Sequence, residues 1–211
     1  MVKARRLRIR HVNVRSLNTQ SRLFVLELMA AGHSVDVLCV SESWLRKEQP
    51  SATVRIPGFE LLLRDDRVVG QGGGVAVYVR YGVQSNHINC PSSSEFQCVG
   101  VNICASRSSI TVITAYHPPD GDSKKFADYL DQVLAGLPRV ASCDICLLGD
   151  FNAKHDSWLS SKTSDNAGYR LYAFAISNGL VQVVSEPTFT TNSVKEVQLD
   201  LMFVNQPLLV Q

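Results

Sequence analysis

Residues 145–148 form a short apolar run that stops at Gly149 and delivers Asp150 and Asn152, inside the stretch CDICLLGDFNAKHDSW at 143–158. An apolar run this short, bounded by glycine, predicts a buried strand. In an extended chain residues i and i+2 share a face. Asp150 and Asn152 are therefore expected to address one substrate atom if the strand geometry persists through them. Standing alone, the same Asp-x-Asn reads better as an Asx-rich turn closing a strand. What the rest of the chain delivers to the same place decides between the two.

The chain has 211 residues, 45% of them hydrophobic, enough to build one domain over 1–211 around a full core. Its net charge of +2 carries no bulk signal for nucleic acid. The first ten residues nevertheless hold Lys3, Arg5, Arg6, Arg8 and Arg10, a run that reads either as a phosphate contact or as a solvated strand edge. No apolar stretch reaches membrane-spanning length, so no membrane partner is expected. The six cysteines follow no regular framework, and Cys143 and Cys146 fall i, i+3 on one expected strand, facing opposite sides. Free thiols and a reducing, intracellular setting are the simplest expectation.

Periodicity predicts strands at 7–14, 35–40, 60–63, 75–79, 96–104, 110–116, 180–184 and 197–204, with the fifth and sixth forming a hairpin around 105–109. Helices are expected at 21–31, closed by Gly32; at 123–136, capped by Asp122; and at 165–178, closed by Gly179. Gly72, Gly73 and Gly74 lack the Gly-Lys-Ser/Thr of a phosphate-binding loop and precede a strand, so a flexible lead-in to that strand is the expectation. Strands interspersed with helices, without the GxGxxG fingerprint, predict an α/β sandwich rather than a doubly wound sheet: two packed β-sheets with helices on their outer faces.

Four of these strands end in groups suited to phosphate or metal chemistry: Asn13, Glu42, Tyr116 and the Asp150/Asn152 pair. Asp200 lies inside an apolar run, where an ionised carboxylate is costly unless paired or hydrogen-bonded. Five such positions predict one edge of the sandwich lined with acids and amides. The chemistry this set serves is metal-assisted hydrolysis of a phosphate ester, in which one carboxylate holds a divalent cation and another activates water. Mg²⁺ suits an oxygen-only site of this kind.

The ordered segments Asn13-Val14-Arg15-Ser16-Leu17, Ser41-Glu42-Ser43-Trp44-Leu45, Ala115-Tyr116-His117-Pro118-Pro119, Gly149-Asp150-Phe151-Asn152-Ala153, Pro187-Thr188-Phe189 and Leu199-Asp200-Leu201-Met202-Phe203 resemble the endonuclease/exonuclease/phosphatase superfamily. Arg64 to Arg67 with 72–78, and 149–158 with its His and Trp, are similar to the abasic-endonuclease-like domain of non-LTR retrotransposon polyproteins. The resemblance implies a DNase I-like fold, a four-layer α/β sandwich of two mixed sheets flanked by helices. It further implies that Glu42 and Asn13 hold Mg²⁺, with Mn²⁺ as the alternative ion. Asp150, Asn152, Tyr116 and Asp200 would be catalytic, Asp200 by orienting a histidine. Asn13, Arg15, Tyr116 and Asn152 would contact phosphate or DNA, joined by His155 as either a DNA-edge or a local structural residue, while His117 is expected at the rim. Arg15 stands where repair members of the family carry an acid.

Double-stranded DNA in the nucleus is the implied substrate, nicked to prime reverse transcription by a domain downstream in a parent polyprotein. The family closes on a Ser-Asp-His strand, and this sequence stops at Gln211 before one. A domain lacking its last strand, cutting DNA feebly or not at all, is therefore expected. The alternatives are a catalytically dead nucleic-acid-binding remnant and a phosphatase acting on a small phosphorylated molecule. Loops 64–74 and 185–196 are the expected seat of DNA-site selectivity.

Overall fold

The computed structural model describes residues 7–32, 35–68, 70–105, 108–137, 143–158, 163–190 and 196–207. Lys3, Arg5 and Arg6 of the basic run, the tip of the 105–109 turn and part of the 185–196 loop lie outside them.

Strand β1 (Ile9–Asn13) leads to helix α1 (Gln20–Gly32) and strand β2 (Val37–Ser41), which lies parallel to β1. Strands β3 (Phe59–Asp65) and β4 (Val75–Arg80) complete a mixed sheet in the order β1-β2-β4-β3. Alternation along β2 divides its side chains between two cores, as period-two geometry requires. Val37 and Cys39 face the second sheet, whereas Leu38 and Val40 face α1 with Leu26, Ala30 and Tyr78. Helix α1 is apolar nearly all round, and Phe24, Val25 and Leu28 remain exposed on its outer side.

The second sheet is built from β5 (Ser85–Ile88), β6 (Gln97–Ala105), β7 (Ser108–Tyr116), β8 (Cys143–Asp150), β9 (Val181–Gln182) and β12 (Asp200–Val204), in the order β5-β6-β7-β8-β12-β9. Only β7 and β8 are parallel in it, joined over its outer face by helix α2 (Ser123–Ala135). Asp122 caps α2, its carboxylate accepting from the backbone N–H groups of Lys124 and Lys125 at 2.9 and 3.1 Å. Phe126, Leu130 and Val133 of α2 and Leu171 and Phe174 of helix α3 (Asn166–Ser177) cover Ile113, Leu147 and Phe203. The result is four layers: α1, sheet, sheet, then α2 with α3. No helix among the described residues is long and apolar enough to cross a membrane.

The secondary structure departs from the sequence reading at several places. The expected strand at 197–204 is two elements, a short hairpin of β10 (Phe189–Thr190) with β11 (Glu196–Val197), then β12 beginning at Asp200. Thr188 causes the break, because its Oγ1 accepts the N–H groups of Leu199 and Asp200 at 3.1 and 3.0 Å. Asp200 therefore opens a strand at the sheet's rim instead of interrupting one. Strand β5 was missed because its SNHI sequence has no apolar alternation. The helix expected from Asp165 begins one residue later, with Asp165 as its cap, accepting from Gly168 N at 2.7 Å.

Candidate active site

Asn13, Tyr116 and Asp150 are the last residues of β1, β7 and β8; Glu42 directly follows β2, and Asp200 opens β12. Strand direction thus carries all five to one edge of the sandwich. Register aligns three of them, since Tyr116 pairs across from Asp150, and Asp150 from Asp200. That alignment needs Gly149: a Cβ there would sit 1.8 Å from the Ala115 carbonyl oxygen.

The side chains are tied to one another. Asn13 Nδ2 donates to Asp150 Oδ2 at 2.7 Å, and Asn152 N donates to Asp150 Oδ1 at 3.2 Å. The Tyr116 hydroxyl donates to Glu42 Oε1 at 3.1 Å, and Trp44 Nε1 donates to Glu42 Oε2 at 3.2 Å. Asn152 Nδ2 donates to the His117 carbonyl at 2.9 Å.

The extended-strand argument for Asp150 and Asn152 is corrected. The strand ends at Asp150, and Asn152 adopts a left-handed φ of 45°. A turn folds Asn152 back so that its N–H meets the Asp150 carboxylate, the Asx-turn geometry expected of Asp-x-Asn standing alone. Asn13 makes the same turn, its Oδ1 accepting from Arg15 N at 3.1 Å while Arg15 takes φ 46°. Among the described residues every non-glycine with positive φ lies in these loops: Arg15, Ser16, Glu42, Trp44 and Asn152. Backbone held in sparsely populated regions concentrates at functional sites.

Burial, and then the facing charge of Asp200, push the Asp150 carboxyl up to about 7. Burial raises Asp200 to about 6, with the Thr188 hydroxyl and Arg15 opposing it and Glu42 reinforcing it. The Tyr116 phenol is raised by burial and by Glu42, so it remains a protonated donor. Like charges facing across a ladder are unfavourable, and a cation would relieve them here. Among the described residues the buried Asp200 Oδ1 has no hydrogen-bond partner. Among the described residues no three His, Cys, Asp or Glu side chains form a metal cluster by themselves. Mg²⁺ asks for less, one or two carboxylates with several waters retained. The oxygen set of Glu42 and Asn13, beside crowded carboxyls and an orphaned oxygen, fits it.

The sequence reading left Asp200 without a histidine, and the structure places His11 beside it. His11 Nδ1 lies 3.5 Å from Asp200 Oδ1, longer than a hydrogen bond, and its Nε2 lies 3.1 Å from Ser41 Oγ. Burial lowers the His11 pKa to about 4, so the ring is neutral at pH 7. His11 shares a strand face with Asn13 at i, i+2, a signal that could have found it. Trp44 stands in the same relation to Glu42 in sequence.

Two other histidines sit apart from the cluster. His117 is not a rim residue: it is buried, stacks on Phe126 at 4.6 Å, and has Nδ1 3.0 Å from the Phe151 carbonyl. The segment after β7 turns under α2 and takes His117 into the aromatic core. His155 stacks on Tyr172 at 4.2 Å, lies near Trp158, and accepts from Ser157 N. With 5% of its surface exposed, its position favours the local structural role over the DNA edge. Arg15 is exposed and close enough to Asp200 to lower its pKa.

The glycines at 72–74 do more than lead into β4. All three have positive φ, and they strap the Glu42–Trp44 turn, Ser43 N donating to Gly74 O at 3.1 Å and Trp44 N to Gly73 O at 3.0 Å. Arg46 holds the same loop through the carbonyls of Arg67 and Gly70, both at 2.7 Å.

The profile of the Endonuclease/Exonuclease/phosphatase family matches residues 11–211. Among curated proteins, the RNA-directed DNA polymerase from mobile element jockey of Drosophila melanogaster is 25% identical over 172 residues, covering 78% of this chain and 17% of that protein. Its Drosophila funebris counterpart is 24% identical over 184 residues, covering 85% and 19%. The chain thus spans less than a fifth of these relatives. Among solved structures, the endonuclease domain of TRAS1, a telomere-specific non-LTR retrotransposon, superposes with a TM-score of 0.70 at 19% identity, over 93% of this chain and 84% of that one. An AP endonuclease from Archaeoglobus fulgidus gives 0.66 at 18%, over 96% and 88%. These likenesses match the DNase I-like expectation of two mixed sheets flanked by helices. The chain belongs to the endonuclease/exonuclease/phosphatase family, and by family it is a phosphodiester hydrolase.

Proposed function

We propose that this chain is a Mg²⁺-dependent DNA endonuclease domain that nicks double-stranded target DNA in the nucleus, leaving a primer for a reverse transcriptase domain of the same polyprotein. The observation that carries the reading is the convergence of Asn13, Glu42, Tyr116, Asp150, Asn152 and Asp200 on one strand edge, in loops that hold the non-glycine left-handed residues. The jockey relatives are RNA-directed DNA polymerases, which supports the retrotransposon setting.

Glu42 and Asn13 hold the cation, with Mn²⁺ as a substitute ion. When bound, the cation polarises the phosphoryl oxygen and neutralises developing charge. Asp150, held at both oxygens by Asn13 and Asn152, accepts the proton of the attacking water. A carboxyl titrating at about 7 is well matched to that task at neutral pH. Asn152, whose amide keeps a second N–H beyond the one on the His117 carbonyl, stabilises charge on the phosphate; Tyr116 orients Glu42 through its hydroxyl, and Arg15 contacts the DNA backbone beside Asp200.

Supercoiled plasmid with Mg²⁺ tests this. Any conversion to nicked circles, however slow, is expected to be lost in Asp150→Ala. Release of inorganic phosphate from a small phosphorylated compound without nicking would instead favour a phosphatase, the activity named for one solved structure of this fold, a mannosyl-6-phosphatase. Salt-sensitive DNA binding without cutting would favour a binding module.

A further inference from the structure

Trp44 is a bulky residue in a left-handed conformation, φ 54°, and 39% of its surface is exposed. Neither property stabilises a fold, because a large side chain at positive φ is strained and a half-exposed ring gains little from burial. Several contacts nevertheless hold it. Its N–H donates to Gly73 O at 3.0 Å, and Asn18 Nδ2 donates to its carbonyl at 3.0 Å. Gly72 lies beside the ring, where even a Cβ would come only into ordinary contact, 3.4 Å from the indole nitrogen. The indole N–H is aimed at Glu42 Oε2, 3.2 Å away, while the other oxygen takes the Tyr116 hydroxyl at 3.1 Å.

We propose that Trp44 is a positioning residue for the cation-binding carboxylate, its indole N–H and the Tyr116 hydroxyl each taking one oxygen of Glu42 and so fixing the carboxylate plane. A carboxylate has about four lone-pair sites, so one donor on each oxygen leaves a lone pair on each for the cation. The two donors lie on different elements, Tyr116 at the end of β7 and Trp44 in the glycine-strapped turn. The carboxylate is therefore held from both sheets. This inference rests on Glu42 being the cation ligand.

The chain has two tryptophans, and Trp158 is buried on the α3 side of the fold. Nitrogen-15 NMR of the full chain should show the Trp44 indole N–H resonance moving as Mg²⁺ is added, with that of Trp158 unmoved, assignment coming from Trp44→Phe. Mn²⁺ binding, followed by electron paramagnetic resonance, should weaken about 10- to 100-fold in Trp44→Phe, the range for lost hydrogen bonds to metal ligands, with circular dichroism unchanged. In Glu42→Gln it should be lost. Wild-type affinity in Trp44→Phe alongside lost binding in Glu42→Gln overturns this inference alone, as does a Trp44 resonance indifferent to Mg²⁺ in a chain that binds Mn²⁺. Wild-type affinity in Glu42→Gln overturns the cation-site reading beneath it.

Discussion

Replacing Asp150 by Asn removes a carboxyl whose proton the folded chain holds more tightly than the unfolded one does. The group titrates near 3.8 when unfolded and is pushed up to about 7 by burial and the charge of Asp200. The stability tied to it is full below the unfolded value and is lost as pH rises toward 7. The whole difference is worth about 4 kcal/mol. From about pH 5 to about pH 8 roughly 3 kcal/mol of it disappears, at about 1.4 kcal/mol per pH unit until titration is complete. Asn resembles the protonated acid in shape and cannot ionise. Asp150→Asn should therefore gain on the wild type as pH rises, its advantage growing by about 3 kcal/mol over that interval. Urea unfolding of both proteins in chelator, at the two pH values, measures this. An advantage that stays constant or shrinks would refute the reasoning that burial disfavours the ionised Asp150. The same variant should lose plasmid nicking, since stabilisation with loss of function marks a group kept strained for chemistry.

Two further substitutions test how the fold presents the site. Gly149→Ala forces a Cβ to within 1.8 Å of the Ala115 oxygen; separating β7 from β8 should cost upwards of about 4 kcal/mol, seen as a lowered urea midpoint or loss of folded protein. Asp122→Ala removes the acceptor of two N–H groups at the start of α2; it should cost about 1 kcal/mol in thermal or urea unfolding and leave nicking unchanged.

Much of this molecule is legible in its apolar rhythm. The continuous apolar run of β2, the alternation through β4, the spacing of Phe126, Leu130 and Val133, and the cap at Asp122 are local signals, and local physics decides them. So is the recurrence of Asn13, Glu42, Tyr116 and Asp150 at strand ends, which sequence alone could propose as one edge. What the sequence could not supply was every feature created by residues far apart in the chain. His11 reaches Asp200 only because β1 and β12 meet across the two sheets. His117, expected at the rim beside Tyr116, is instead covered by α2. Thr188 divides the last apolar run by hydrogen bonds spanning eleven and twelve residues. The glycines at 72–74 strap Trp44 because of a contact made only in the folded sheet. Periodicity sets which face each side chain takes, and so which residues are buried together. Which carboxylates face each other, and hence the raised pKa of Asp150, follows from strand register and packing between layers, and only the tertiary structure decides those.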